Sequence, residues 1–146
     1  MRLPDPTKPV EQQDVDVLAK INMWSEARGE GSEACEAVMH VVMNRVQLQG
    51  YMGKTVKEVI LHPFSFSWLN PGSIVKDHAL RPLNYDSEAT WQMVSDAYDA
   101  VKGGAADITN GSTHYFSVDI KAPAWALARG TVFKVQIGNI RFYRAA

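Results

Sequence analysis

The reading of the chain turns on Met23-Trp24-Ser25-Glu26-Ala27-Arg28-Gly29-Glu30, where a helix carrying a carboxylate is cut off by a glycine just before a second helix begins. Upstream, Val17, Leu18, Ile21, Trp24 and Ala27 recur at three- and four-residue spacing, which predicts a helix with one apolar stripe and Asp14 as its N-cap. Gly29 reads as the residue after the helix end, because glycine enters the left-handed conformation at little cost. Glu26 then lies in the last turn, where unpaired carbonyls oppose ionisation of a carboxylate. Shielding by Trp24 or another aromatic would act in the same direction. An acid kept protonated near neutral pH can give a proton to a leaving group. Arg28, a cation in reach, acts the other way. Spacing alone equally allows Glu26 and Glu30 to be ordinary surface carboxylates at a helix corner.

Beyond Gly31, Ser32 is placed to cap a second helix, in which Ala34, Ala37, Val38, Val41, Val42 and Val46 form a wide apolar face ending near Gly50. This helix is expected at the buried centre. His40 reads as a flank residue, and Asn44-Arg45 as braces for a neighbouring loop. Thr55-Val56-Lys57-Glu58 has the spacing of a capping box and predicts a short helix stopped by His62-Pro63. In Phe64-Ser65-Phe66-Ser67-Trp68-Leu69, aromatics alternate with serines; they suit either stacking on a sugar or base, or plugging the core. Residues 70–86 read as a long surface loop bordering a cleft. A third substantial helix begins at Asp86 or Ser87, with Trp91, Val94, Ala97, Tyr98 and Val101 on one side and Gly103-Gly104 as its stop. The period then changes. Thr113 to Val118 is strand-like, and Thr131–Ile137 with Ile140–Tyr143 straddle Gly138-Asn139, a two-residue hairpin turn. Helices first and a small antiparallel sheet last make an α+β domain.

A chain of 146 residues with 46% apolar content is expected to form one domain over 14–146, with residues 1–13, broken by prolines 4, 6 and 9, as an N-terminal arm. The lone Cys35 sits in an apolar helical stretch and reads as a buried, inert thiol. There is no signal-peptide core and no run of about eighteen apolar residues, so a soluble chain made in the cytoplasm is expected, without stable membrane association. Net charge is −1, yet beyond Asp119 there are Lys121, Arg129, Lys134, Arg141 and Arg144 and no acid. That end suits an anionic polymer or is a solvated basic face; the overall charge argues against nucleic acid as partner.

The four histidines, His40, His62, His78 and His114, show no paired zinc-ligand spacing, so neither a metal nor another cofactor is expected. Gly-x-Ser-x-Gly is absent, as are phosphate-cradling glycine loops. Acid catalysis by a carboxyl group in an aromatic-lined cleft remains, and glycoside cleavage is the reaction that most naturally uses it.

Trp24-Ser25-Glu26-Ala27-Arg28-Gly29-Glu30, Val41-Val42-Met43-Asn44-Arg45-Val46, Phe66-Ser67-Trp68 and Thr109-Asn110-Gly111-Ser112-Thr113-His114-Tyr115 resemble, in this order, the signature stretches of one family. It is the bacterial and phage cell-wall hydrolase family that includes the spore cortex-lytic enzymes. Pro123-Ala124-Trp125-Ala126 and Ile137-Gly138-Asn139 with Phe142-Tyr143 resemble its closing segments, except that Asn139-Ile140-Arg141 stands where members often have a histidine. The resemblance implies a mainly helical, lysozyme-like domain with a small C-terminal antiparallel sheet. It also implies cleavage of peptidoglycan glycan strands between N-acetylmuramic acid and N-acetylglucosamine. Glu26 matches the family's acid; Ser67, Trp68, Asn110, His114 and Tyr115 match cleft-lining positions. Glu30 is a candidate supporting residue, and Glu30 or Asp107 a candidate second carboxylate.

One carboxylate suffices for a lytic transglycosylase, in which the 6-hydroxyl of the sugar closes a 1,6-anhydro ring; this is the expected reaction. The alternatives are a hydrolytic muramidase and a non-catalytic glycan-binding module. A bare catalytic domain resembles a phage endolysin, monomeric and held in the host cytoplasm until a membrane pore releases it to the wall.

Overall fold

The computed structural model describes residues 2–145. Apolar periodicity builds its helical half. Helix α1 (Val15–Ala27) and helix α2 (Ser32–Leu48) pack on each other, and both pack on the short α3 (Val56–Leu61). The segment expected as an open loop instead forms α4 (Val75–Ala79) and a 3₁₀ turn at Pro82–Asn84. Ala79 and Pro82 are buried there, so local apolar contact organises a stretch that has too little periodicity to announce itself. Helix α5 (Glu88–Lys102) closes the bundle against α1 and α2. Its N-cap Ser87 accepts from the Thr90 amide, and Thr55 caps α3 by accepting from Glu58 N.

The expected burial of α2 holds, but α1 shares the centre, with every residue from Val17 to Trp24 buried. Such a helix takes polar groups into the core, and two of them find aromatic partners. The Lys20 ammonium lies over the Tyr98 ring at 5.5 Å, and Asn22 Oδ1 accepts from the Trp68 indole at 2.8 Å. The Cys35 thiol is fully buried, and burial pushes its pKa up to about 12. Residues ahead of α1 lie against the bundle: Arg2 pairs with Asp14 and Asp16, its carbonyl accepts from the Trp91 indole at 3.0 Å, and Gln13 bonds Asp5 and Lys8. Asp14 therefore makes an ion pair in place of the expected side-chain cap.

The sheet follows the expected hairpin. Strand β1 (His114–Ser117) pairs antiparallel with β3 (Ile140–Arg144), which pairs antiparallel with β2 (Val132–Ile137) across the Gly138-Asn139 turn. The order is β1-β3-β2, with a register irregularity between Phe133 and Val135. Phe142 on the central strand is fully buried and joins the sheet to the helical core. Chain order and architecture are those of an α+β domain. Among the described residues no helix is long and apolar enough to cross a membrane.

Candidate active site

The corner after α1 differs from its expected form. The helix does not stop on a left-handed Gly29; it tightens into a 3₁₀ turn over Arg28–Glu30, and the positive φ, +96°, falls on Gly31. Gly31, and not Ser32, is the N-cap of α2. Moving the break two residues on keeps Glu26 in the last α-helical turn and turns Glu30 toward the sheet. Glu30 Oε2 accepts from the Asn139 amide at 3.0 Å, and a Cβ on Gly138 would lie 2.5 Å from that oxygen. Glycine at 138 leaves room for this carboxylate and takes its left-handed φ of +57° at little cost. The hairpin turn is thus fastened to the corner beside Glu26.

Fastening the hairpin brings β1 across the end of α1. The Tyr115 hydroxyl donates to Glu26 Oε1 at 2.6 Å. From the other side α2 supplies Arg45, which is buried, donates its Nε to the Thr113 carbonyl at 2.7 Å and lies 5.2 Å from the Phe66 ring. Arg45 Nη1 is buried without a protein partner. A cleft of about 400 Å³ is lined by Glu26, Arg45 and Tyr115, by Phe64, Ser65, Ser67 and Asn70 from the segment after α3, and by Ser117, Ile120 and Ile140 from the sheet side.

Burial raises the Glu26 pKa, against the opposing effects of the Tyr115 hydrogen bond and the Arg45 charge. Burial, together with the Glu26 charge and bond, lifts the Tyr115 phenol well above its ordinary range, so it remains a donor. Burial lowers the Arg45 pKa, which Tyr115, Tyr51 and Glu26 offset; a guanidinium stays charged. The result is an acid whose burial favours the protonated form, with a donor and a cation in place to receive the carboxylate once the proton has left.

The other candidate residues divide. Ser67 lines the cleft. Trp68 does not: only 2% exposed, it fills the core and gives its indole N–H to Asn22, so the stacking role expected for it is corrected to a packing role. Phe66 is buried likewise, whereas Phe64 is 82% exposed on the rim. Asn110 sits outside the Glu26 cleft on an exposed turn, in a left-handed conformation with φ +53°. His114, half-buried one residue before Tyr115, is not among the described residues lining the Glu26 cleft; its Nδ1 meets Thr113 Oγ1 at 2.9 Å and its ring packs on Trp125. Burial, then the Arg45 charge, lowers its pKa to about 4. Glu30 braces the hairpin. Asp107 is not a second cleft carboxylate: its two oxygens accept from Thr109 N and Oγ1, Gly111 N and Asn44 Nδ2. Arg28 is not the cation near Glu26, because it reaches back to the Trp24 carbonyl and ring and pairs with Asp86 at 3.2 Å.

Arg45 was readable only as a loop brace, a role its Nε bond to Thr113 does fill. The overlooked signal is positional. Arg45 continues the Ala34, Val38, Val41, Val42 stripe, so a full charge occupies a core-facing helical site, where an unpaired ion is too costly to be incidental.

The model of the Cell Wall Hydrolase family matches residues 29–143, a segment beginning just after Glu26. The fold matches the crystal structure of the catalytic domain of the Bacillus cereus SleB protein with a TM-score of 0.58 and 26% sequence identity, over 88% of this chain and 87% of that one. No curated protein matches the chain. With residues 29–143, most of its length, matched by the family model, the chain belongs to the cell wall hydrolase family.

Proposed function

We propose that the protein cleaves peptidoglycan glycan strands between N-acetylmuramic acid and N-acetylglucosamine as a lytic transglycosylase, with Glu26 as its one catalytic carboxyl group. The observation that carries this reading is the composition of the cleft: Glu26 is the only carboxylate among its described lining residues. Inverting hydrolysis calls for a second carboxylate across the sugar to activate water. Glu30 and Asp107, the two candidates for that role, are occupied elsewhere.

Glu26 first donates its proton to the glycosidic oxygen as the C1–O bond breaks and positive charge develops at the muramic C1. The carboxylate left behind is stabilised by the Tyr115 hydroxyl and the Arg45 charge. It then accepts the proton of the C6 hydroxyl while O6 bonds to C1, closing the 1,6-anhydro ring and restoring the acid. Phe64 supports a glycan in the cleft. Its ring is exposed on the rim, and its backbone is held at φ +62°, a costly conformation for a bulky residue and one that accumulates at ligand-binding positions. A sugar face stacked on that ring would account for both.

Mass spectrometry of the fragments released from purified peptidoglycan tests the reading. Anhydromuramic ends are expected. Reducing muramic ends, heavier by one water, would make the enzyme a muramidase. Binding to the wall with no release at all would leave a glycan-binding module. The cellular role proposed is that of an endolysin, for which expression in a bacterium with and without a pore-forming protein is the test: lysis is expected only when the pore is made.

A further inference from the structure

The Glu26 cleft is continued by further depressions. Arg45, Phe64, Ser65 and Tyr115 also wall a second concavity of about 290 Å³. Its far wall, Tyr51, Met52, His114 and Trp125, is shared with a third of about 440 Å³, which Arg129 and Arg144 bound. The shared side chains set the three depressions side by side in series, with the acid lining the first and two guanidinium groups the last.

The two ends differ in chemistry. No aspartate or glutamate is among the described residues lining the second and third compartments. Tyr51, Met52 and Trp125 give them apolar and aromatic sides, and Tyr51 is 80% exposed. His114 has its Nδ1 engaged by Thr113, which leaves Nε2 to exchange a hydrogen bond with an amide. Arg144 spends one nitrogen on the Gly111 carbonyl, while Arg129 makes no hydrogen bond or ion pair among the described residues. The sequence beyond Asp119 carries no acid to neutralise them. A groove with flat apolar sides, hydrogen-bonding groups and a cationic end fits an extended peptide bearing carboxylates.

We infer that this far arm binds the acidic peptide branch that muramic acid carries, so that the enzyme reads glycan at Glu26 and peptide between Tyr51 and Arg129. The inference rests on the glycan reading proposed above, and it commits the second and third compartments to the same substrate molecule. Because the peptide springs from the sugar being cut, its capture orients the muramic ring and contributes binding energy remote from the reacting bond.

Binding without turnover provides the test. Titration calorimetry with the Glu26→Gln protein would compare a disaccharide-tetrapeptide with the same disaccharide lacking its peptide. The peptide is expected to improve affinity about tenfold or more, an advantage that shrinks with added salt. Adding Arg129→Gln, an exposed and structurally uncommitted position, should cut that advantage by roughly fivefold, and Tyr51→Ala should also reduce it. Equal affinity for the two ligands would overturn the inference, as would an Arg129→Gln loss that is the same for both. Neither result touches the glycan reading, which fails on a separate observation: wild-type protein that releases no cut strands.

Discussion

The two banks of the Glu26 cleft are built differently. The packed bank is the end of α1, the last turn of α2 and Tyr115 of β1, held by side chains such as Leu18, Ile21, Trp24, Val38 and Val42 that are wholly buried. The open bank is the segment 64–70 and the turn after β1, where Phe64 and Ile120 stand open to solvent. The packed bank can keep a carboxyl group and a guanidinium desolvated, which is a matter of electrostatics. The open bank can offer shape and a stacking surface. Acid strength and substrate fit are therefore set by separate parts of the chain, and substitutions on the two banks should fail in different ways.

The largest expected effect is on the packed bank. Glu26→Gln should fold and lose activity by about two orders of magnitude or more in a muropeptide-release assay, the scale of a lost acid catalyst. Its stability should change in the opposite sense. Burial raises the folded pKa of Glu26, so the native state holds this proton more tightly than the unfolded chain. The associated stability is present below the unfolded pKa and is lost as pH rises through the raised folded pKa. Above that window the Gln variant should melt at a higher temperature than the wild type, with the gap closing on acidification. A variant melting below the wild type at every pH would mean that the carboxyl group is not desolvated.

Tyr115→Phe is expected to come next, with a loss of about tenfold, the cost of a hydrogen bond to a charged group. The hydroxyl favours the ionised form of Glu26, so its removal should raise the Glu26 pKa and move the alkaline limb of the pH–rate profile upward. A lower rate with an unmoved limb would show that Tyr115 does not tune the acid. On the open bank, Phe64→Asn sharpens the contrast. Asparagine tolerates positive φ, so the variant should gain about 1 kcal/mol of stability while KM rises several-fold and the pH limb stays where it was. A shifted limb would join the two banks into one electrostatic unit. The smallest effect is expected from Glu30→Gln, which keeps a weaker acceptor for the Asn139 amide: less than about threefold in rate and about 0.5–1 kcal/mol in thermal unfolding.

The contrast also governs how much could be read in advance. The helices with strong periodicity, the caps at Thr55 and Ser87, and the Gly138-Asn139 hairpin are local patterns present where the spacing predicts them, whereas the cap expected at Ser32 falls on Gly31. Aromatic placement was not local. Phe64, Phe66 and Trp68 alternate identically in the sequence, yet two are core and one is rim, because their segment forms a turn and a 3₁₀ helix and not a strand. The α4 segment went unseen for the opposite reason: five residues carry too little periodicity for a helix that burial of Ala79 secures.

By itself the sequence determined the helices-then-sheet order, the position of Glu26 in a last helical turn, and, through the order of its motifs, the kinship with cell wall hydrolases. Those properties depend on residues near one another in the chain, where side-chain period, capping and turn chemistry act directly. Only the tertiary structure decided which groups surround the acid. Tyr115 stands 89 residues from Glu26 in the chain, and Arg28, two residues away, turns to Trp24 and Asp86 instead. A pKa is set by desolvation and by charges within a few ångströms, and those distances exist only after α1, α2 and the sheet have packed.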